Sequence, residues 1–259
     1  MRAIWSGTLS FGLIQFGVKL HSAVQSESLD LDLLSKDDLA PVRYARIDSA
    51  TGEELAYKDI VKGYQYAKGK YVVVTDEDFE KASPEKSKAI SIIQFVKQEA
   101  IDPIYFEKPY YIVPAKGAEK TYHLLLQALE EAQAAGLAEF MLRNREHLCA
   151  IRPYNDVLVL NQMRYHQELK EAPEVAQPKK EKIKDTELKL AVQLVQQLSD
   201  EFDPAAFKDT YLDAIKRIIK AKAAGKNIRI AEPKEDPMPN VKDLMAVLKK
   251  SLEKTKRIA

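Results

Sequence analysis

Residues 2–21, RAIWSGTLSFGLIQFGVKLH, are the stretch of this chain that decides its fold. Apolar side chains occupy alternate positions from Leu9 to Leu13, which is the period of a half-buried β-strand. The alternation then resumes one residue out of phase at Ile14. Such a shift turns the apolar set to the other face, so we expect a bulge or bend, and Gly12 lies where it would fall. The stretch therefore predicts β-structure of the kind that builds a barrel.

The composition is that of a folded protein without a membrane span. The chain has 259 residues, of which 46% are hydrophobic and 31% charged, enough for one large domain or two modest ones. It has no apolar run of about eighteen residues and no apolar signal-peptide segment at its start. The single cysteine, Cys149, excludes an internal disulfide and fits a reducing compartment. We expect a cytoplasmic protein.

Charge is distributed unevenly along the chain, although the formal net charge is only +1. Residues 216–259 hold 13 basic and 5 acidic side chains. Residues 1–215 hold 27 basic and 34 acidic side chains. A body of this charge could bind nucleic acid only by concentrating its basic residues on one surface.

Up to about residue 168 the pattern is mostly β with one clear helix. Apolar, β-branched runs predict strands at 71–75, 89–96, 110–113, 140–142 and 157–160. Apolar side chains at helical spacing predict a helix over 119–135, with Gly136 as its C-cap.

After residue 168 the pattern becomes helical. Residues 170–184 form a charged linker with two prolines, and an amphipathic helix follows up to Leu198. A second helix is predicted over 205–224, ended by Gly225. Prolines at 233, 237 and 239 predict a flexible stretch before a last amphipathic helix over 241–256.

The motifs of common catalytic sites are missing from the sequence. There is no P-loop, no His-Glu-x-x-His and no paired Cys-x-x-Cys. His147 and Cys149 are close in sequence, but two ligands make a poor zinc site. Asp30 and Asp32 would be the candidates for a metal-dependent nuclease, yet acidic turn clusters are far more often solvated caps. We therefore expect no enzyme activity, no metal and no cofactor.

Six motifs, in order along nearly the whole chain, resemble the bacterial Ku proteins. The opening stretch is the first, and the others are 62–78 (KGYQYAKGKYVVVTDED), 101–114 (IDPIYFEKPYYIVP), 145–165 beginning REHLCAIRPY, 202–226 beginning FDPAAFKDTY, and 241–252 (VKDLMAVLKKSL). Any one of these is weak, but six in the right order are specific. The chain lacks the von Willebrand-type and accessory DNA-binding domains of the larger eukaryotic relatives, so it resembles a minimal, bacterial-type version.

The resemblance implies an α+β fold with three parts. Residues 1–168 would form a Ku-type β-barrel core with a strap-like insertion at about 30–70 that encircles DNA. Residues 169–225 would be a linker and helical dimerisation arm, and 226–259 a flexible basic tail with a terminal amphipathic helix. Two subunits would close into a ring-shaped homodimer around the duplex.

Candidate site residues follow from the same resemblance. The basic residues of the strap and of a second group near residue 145 are expected to contact DNA: Lys36, Arg43, Arg46, Lys58, Lys62, Lys68, Lys70, Arg143, Arg145 and Arg152. The apolar stripe of the arm is expected at the dimer interface, with packing on the chain's own barrel as the alternative: Val195, Leu198, Tyr211, Ile215 and Ile219. The terminal stripe of Leu244, Leu248 and Leu252 is expected to bind an ATP-dependent DNA ligase, or else to be part of a basic tail that adds DNA affinity.

The function implied is sequence-independent binding of double-stranded DNA ends in non-homologous end joining. Such a protein would contact phosphates rather than base edges, protect and bridge the ends, and bring in the ligase. We expect it in the bacterial cytoplasm, associated with the nucleoid. Two alternatives remain open at this point: a nucleoid-type DNA-binding protein without end preference, and a metal-dependent nuclease that uses Asp30 and Asp32.

Overall fold

The structure is a computed structural model that describes residues 2–25, 27, 29–82, 88–142, 145–170, 182–225 and 244–255. The chain divides into two compact units, Met1–Glu174 and Val175–Ala259. The first unit contains nine strands and two helices among its described residues: β1 (Trp5–Phe11), β2 (Ile14–Ser22), β3 (Lys62–Ala67), β4 (Lys70–Val74), α1 (Asp76–Ala82), β5 (Ala89–Lys97), β6 (Phe106–Pro114), α2 (Glu119–Ala132), β7 (Ala134–Leu142), β8 (Arg145–Tyr154) and β9 (Val157–Met163). The described helices of the second unit are α3 (Asp185–Leu198), α4 (Thr210–Ala223) and α5 (Leu244–Thr255).

Seven of the strands form a closed barrel in the order β1-β2-β6-β9-β8-β7-β5. Neighbouring strands are antiparallel, except that β1 and β5 pair in parallel and so close the barrel. Closure leaves no open edge among these strands. The α+β fold class and the barrel predicted from the sequence are confirmed.

The opening stretch forms a hairpin rather than one bent strand. Phe11 pairs with Ile14, so Gly12 and Leu13 make a two-residue turn. Gly12 has φ +57°, a conformation that glycine adopts without strain. The shift in apolar phase that suggested a bulge or bend therefore marks a complete reversal of the chain, after which β2 again presents Phe16 and Val18 to the core.

The core fills the barrel and is continued by α2. Leu9, Leu20 and Phe140 are completely buried inside the barrel. The same cluster includes Leu125 of α2. The hydroxyl of Tyr122, also on α2, donates to the Ile112 carbonyl (3.0 Å) and accepts from the Leu158 amide (2.7 Å). These bonds join α2 to β6 and β9 inside an otherwise apolar core.

The end of α2 differs from the prediction. The helix ends at Ala132, and Gln133, with φ +51°, is its C-cap. Gly136 instead lies inside β7, where an added Cβ would come within 3.0 Å of the Ile92 side chain. The glycine therefore lies where β5 approaches closely and not at a helix end, and a side chain there would push on Ile92.

Residues 23–88, between β2 and β5, leave the barrel and are called the insertion below. They contain the range 30–70 predicted for the strap. Two isolated β-bridges, Leu34–Pro41 and Ile47–Glu54, precede a short 3-10 helix, the β3–β4 hairpin and α1. No described residue of the insertion is buried, so it has no core of its own.

The second unit consists of amphipathic helices. α3 packs against α5. The Asp209 carboxylate caps α4 by accepting from the Leu212 amide (2.8 Å), and Leu212 is buried. The linker residues 171–181 and the stretch 226–243 lie outside the described residues. None of the described helices is long and apolar enough to cross a membrane.

Candidate nucleic-acid interface

All seven cations predicted in the strap are exposed on the insertion. Three of them, Lys62, Lys68 and Lys70, belong to the β3–β4 hairpin, and Lys58 lies in the 3-10 helix just before it. Lys36, Arg43 and Arg46 lie on the irregular backbone around the two isolated bridges. The seven cations predicted on the strap thus all lie on the insertion. Their positive charge is densest at the β3–β4 hairpin.

The hairpin turn presents two lysines side by side. Lys68 and Lys70 flank Gly69, whose φ of +73° allows the tight reversal between Ala67 and Lys70. Residues 60–75 contain three lysines and no acidic residue. Ammonium groups are able to bind phosphate as point charges without reading bases, so the chemistry of this turn is compatible with phosphate.

Two of the insertion's cations already have partners within the chain. The ammonium of Lys62 lies 3.1 Å from the Asp76 carboxylate and 5.3 Å from the centre of the Phe79 ring. The Arg46 guanidinium lies 5.2 Å from the centre of the Tyr57 ring. These contacts hold the hairpin to α1 and the second bridge to the 3-10 helix. Lys62 and Arg46 therefore support the shape of the insertion in addition to carrying charge.

The second predicted basic group is not one cluster. Arg145 and Arg152 lie near opposite ends of β8, about 23 Å apart at the rise of an extended strand. Arg145 pairs with Glu168 at 2.6 Å. The Nε atom of Arg152 donates to the side-chain oxygen of Asn161 at 2.8 Å, and its guanidinium lies 6.0 Å and 5.8 Å from the ring centres of Phe106 and Tyr154. Arg143 lies outside the described residues.

A polar cavity of about 700 Å3 lies at the end of the barrel where β8 begins, and the sequence did not reveal it. Its wall brings together residues far apart in sequence, among them Glu107, Arg145, His147, Gln162 and Glu168. The buried Gln162 donates to Glu107 at 2.9 Å. No single motif contains these residues, so only the strand register could have revealed the cavity.

The ionisable groups of this cavity are perturbed by burial and by each other. Burial lowers the pKa of His147, and the positive charge of Arg145 lowers it further. The Tyr165 amide donates to Glu168 and lowers the pKa of that carboxyl, and Arg145 adds to the effect. The arrangement keeps the imidazole neutral and the carboxylate ionised near neutral pH.

The described residues hold no group of three or more side chains suited to bind a metal. Asp30 and Asp32 are exposed on the insertion. Cys149 is completely buried and lies 3.3 Å from the Ala138 carbonyl oxygen, and burial raises the pKa of its thiol. His147 lies two residues before Cys149 on the same strand, β8.

The insertion also exposes many large apolar side chains to solvent. They include Leu31, Leu33, Leu34, Leu39, Val42, Tyr44, Tyr57, Val61, Tyr64, Tyr66, Tyr71, Val72 and Val73, all about half exposed or more. Exposed apolar side chains at this density in one segment are typical of a surface that interacts with another molecule. A two-stranded hairpin exposed on both faces is at best marginally stable in water, so β3–β4 also needs a covering surface.

Comparison with known proteins identifies the family. A family model described as the Ku70/Ku80 beta-barrel domain matches residues 10–190. A protein of Opitutus terrae named "Non-homologous end joining protein Ku" is 40% identical over 257 residues, which are 98% of this chain and 92% of that protein. The chain belongs to the Ku family.

Two further relatives have the same printed name and cover this Ku-family chain almost completely. The Bacillus subtilis protein is 34% identical over 259 residues, 99% of this chain and 83% of that protein. The Archaeoglobus fulgidus protein is 37% identical over 257 residues, 99% of this chain and 100% of that protein. The resemblance to Ku and the Ku-type β-barrel expected from the sequence motifs are thereby confirmed.

The arm residues of this Ku-family chain differ in exposure. Val195, Leu198, Tyr211 and Ile219 are exposed, whereas Ile215 is half-buried. In the terminal helix, Leu248 and Leu252 are half-buried because α5 packs on α3. For Leu244, which begins α5, only the backbone is described. Most of the described arm side chains are thus exposed, whereas the described leucines of the terminal stripe are partly covered by α3.

Proposed function

We propose that this Ku-family chain binds the ends of double-stranded DNA, without reading sequence, as a ring-shaped homodimer in non-homologous end joining. It protects and bridges the ends and brings an ATP-dependent DNA ligase to them, and it carries out no catalysis itself. The names of its relatives support the pathway. The protein acts in the bacterial cytoplasm at the nucleoid and needs no cofactor.

The observation that carries this proposal is the state of the insertion. None of its described residues is buried, although it exposes large apolar side chains along most of its length. Ordering the backbone costs about 1–2 kcal/mol per residue, which such a segment cannot recover by itself in water. A second copy of the insertion and a DNA duplex together supply the missing contacts: apolar cover from the one, phosphates for the lysines from the other.

Homodimer formation is supported by the kind of surface that is exposed. A two-fold interface is isologous, so the same patch must complement itself, and apolar side chains do this without unpaired charge. The insertion exposes such apolar side chains, and so does α3 at Val195 and Leu198. The arm residues Val195, Leu198, Tyr211, Ile215 and Ile219 are proposed to pack on the second subunit.

Sequence independence is supported by the chemistry of the cations. The lysines of the hairpin sit on a turn and a two-stranded ribbon, with no helix among the described residues of the insertion that could place a row of Arg or Asn side chains in a major groove. Contacts of this kind position the duplex. Their affinity falls steeply as the salt concentration rises, because the release of counterions from the DNA becomes less favourable. Lys68 and Lys70 are proposed as the main phosphate contacts, followed by Lys36, Arg43 and Lys58.

Ligase recruitment is assigned to α5. Its stripe of Leu244, Leu248 and Leu252 is the apolar side of an amphipathic helix, and the sequence around it is rich in lysine. This pattern fits a helix bound in an apolar groove with an acidic rim. The tail's positive charge can also add affinity for DNA, which the salt dependence of a variant lacking the tail would reveal.

The decisive experiment compares one plasmid in linear and relaxed circular form, titrated with the protein at moderate salt. A ring that must thread onto an end loads the linear form in steps and leaves the circle unbound. Equal binding to both forms contradicts the ring and indicates a nucleoid-type binder. Addition of Mg2+ tests the nuclease alternative, because cutting that disappears in Asp30→Ala/Asp32→Ala would contradict a non-catalytic role.

A further inference from the structure

Among the described residues, helix α3 carries both half-buried and exposed apolar side chains. Leu190, Ala191 and Leu194 are half-buried, and α5 is the described element against which α3 packs. Four other apolar residues of α3 remain exposed: Leu188, Val192, Val195 and Leu198. Within the described residues, α3 therefore contacts α5 through its half-buried side chains and leaves the four exposed ones for the second subunit of the proposed dimer.

Helix α5 uses for this contact the same stripe that is proposed to bind the ligase. Val247, Leu248 and Leu252 are half-buried, whereas Lys249 on the other side is exposed. Helix α5 has one apolar stripe, so this stripe cannot lie on α3 and in the groove of another protein at the same time.

We propose that α3 covers the apolar stripe of α5, the recruitment helix, within the same chain. A partner protein can then bind α5 only by displacing α5 from the Leu190–Leu194 face of α3. The contact is autoinhibitory. The partner is a protein with an apolar groove and an acidic rim that matches the lysines of α5. This inference rests on the proposed role of α5 in recruitment. It adds a closed state, in which α5 lies on α3 and is not available to the ligase.

Physical principles favour such a closed state. A 12-residue helix is only marginally stable alone in water, so α5 needs a surface on which to fold. Because α5 is tethered to α3 in one chain, its effective local concentration is on the order of millimolar. A partner at lower concentration must therefore bind more tightly than α3 does, and its apparent affinity falls by the fraction of chains in which α5 is released.

Amide hydrogen exchange on the full-length protein tests the closed state directly. We expect the α5 amides to exchange at least ten-fold more slowly than an unstructured chain. Leu190→Ser/Leu194→Ser should abolish this protection, while the matched control Gln193→Ser/Gln196→Ser, at exposed positions of the same helix, should retain it. Protection of the barrel strands in the same experiment reports that each variant is folded. Unprotected α5 amides in the unaltered chain would overturn the proposal.

Adding an ATP-dependent DNA ligase of bacterial end joining to the unaltered protein distinguishes displacement of α5 from α3 from binding that leaves the α3–α5 contact intact. Displacement predicts that α5 stays protected while amides of α3 exchange faster, because the Leu190–Leu194 face is uncovered. Ligase binding with α3 protection unchanged contradicts displacement. Where one chain in ten has α5 released, Leu190→Ser/Leu194→Ser binds the ligase roughly ten-fold more tightly. Absence of any ligase binding, with α5 protected, would overturn the recruitment function and leave the contact between α3 and α5 standing.

Discussion

The side chain of Arg152 donates a 2.8 Å hydrogen bond from Nε to the side-chain oxygen of Asn161 on the adjacent strand of the barrel. Asn161 is buried, and the Arg152 guanidinium is also close to the rings of Phe106 and Tyr154. Ile151, the preceding residue, is completely buried, so strand alternation places Arg152 on the outer wall of the barrel. The Arg152 side chain is thus part of the barrel wall. The sequence analysis grouped Arg152 with the predicted DNA contacts and could not indicate this position.

Replacement of Arg152 by alanine should therefore reduce stability. The variant leaves the buried oxygen of Asn161 without a donor, and we expect a loss of about 1–3 kcal/mol in the free energy of unfolding. Chemical denaturation of the variant measures this loss. Lys116→Ala, at an exposed lysine of the same unit, should stay within about 0.5 kcal/mol of the unaltered chain. Equal stability of the two variants would show that Arg152 has no structural role.

The paired lysines of the hairpin turn should behave in the opposite way. Lys68→Ala/Lys70→Ala removes exposed charge and leaves the barrel untouched, so stability should not change. If each lysine neutralises one phosphate, the slope of log Kobs against log salt should become shallower by roughly 2. Titration of linear DNA at several salt concentrations measures the slope. Lys68→Arg/Lys70→Arg keeps the charge and serves as the control; a slope unchanged in the alanine variant would exclude this turn as a phosphate contact.

The apolar surface of the insertion should control oligomeric state. The amide of Val42 donates to the carbonyl of Leu33 at 2.8 Å, so these exposed side chains lie on adjacent backbone segments. Leu33→Asp/Val42→Asp adds two negative charges to this surface, and we expect the proposed homodimer to dissociate at micromolar protein concentration. Sedimentation velocity measures the change, and circular dichroism checks the fold. Persistence of the dimer would place its interface elsewhere, for which the arm residues are the next candidates.

The sequence was informative where local pattern and chemistry coincide. The strands β4 to β6 and the helix α2 follow from apolar periodicity, and the family follows from short motifs in order. The lysines predicted on the strap lie at exposed positions of the insertion, and their role in DNA binding stays a prediction.

The sequence was less informative where contacts join distant parts of the chain. The parallel pairing of β1 with β5 brings residue 8 beside residue 89, and nothing local specifies it. The pairing of Lys62 with Asp76, fourteen residues further along the chain, is not specified by local pattern either. Gly136 illustrates the same limit, since its tight surroundings come from Ile92 across a strand pair.

His147 should make stability depend on acidity. Burial, and then Arg145, lowers the pKa of the folded imidazole, so the unfolded chain binds more protons at mildly acidic pH. Stability is therefore complete above the unfolded pKa of about 6.5 and is lost as the pH falls below it. His147→Gln removes this contribution, and its free energy of unfolding should fall less than that of the unaltered chain between pH 7.5 and pH 5.5. Denaturation curves at both pH values measure this, and parallel losses would assign the acid sensitivity to other groups.

The opening hairpin provides a test in which two glycines of one motif are required for different reasons. Gly12 has φ +57° with open space around it, so Gly12→Ala should destabilise the protein by about 1–2 kcal/mol through backbone strain alone. An added Cβ at Gly7 would overlap the Lys88 carbonyl and the Trp5 ring, so Gly7→Ala must displace the β1–β5 pairing that closes the barrel. We expect Gly7→Ala to lower the melting temperature more than Gly12→Ala, and Gly12→Asn, which tolerates positive φ, to recover part of the loss. Equal effects at the two positions would indicate that the barrel closes without close packing at Gly7.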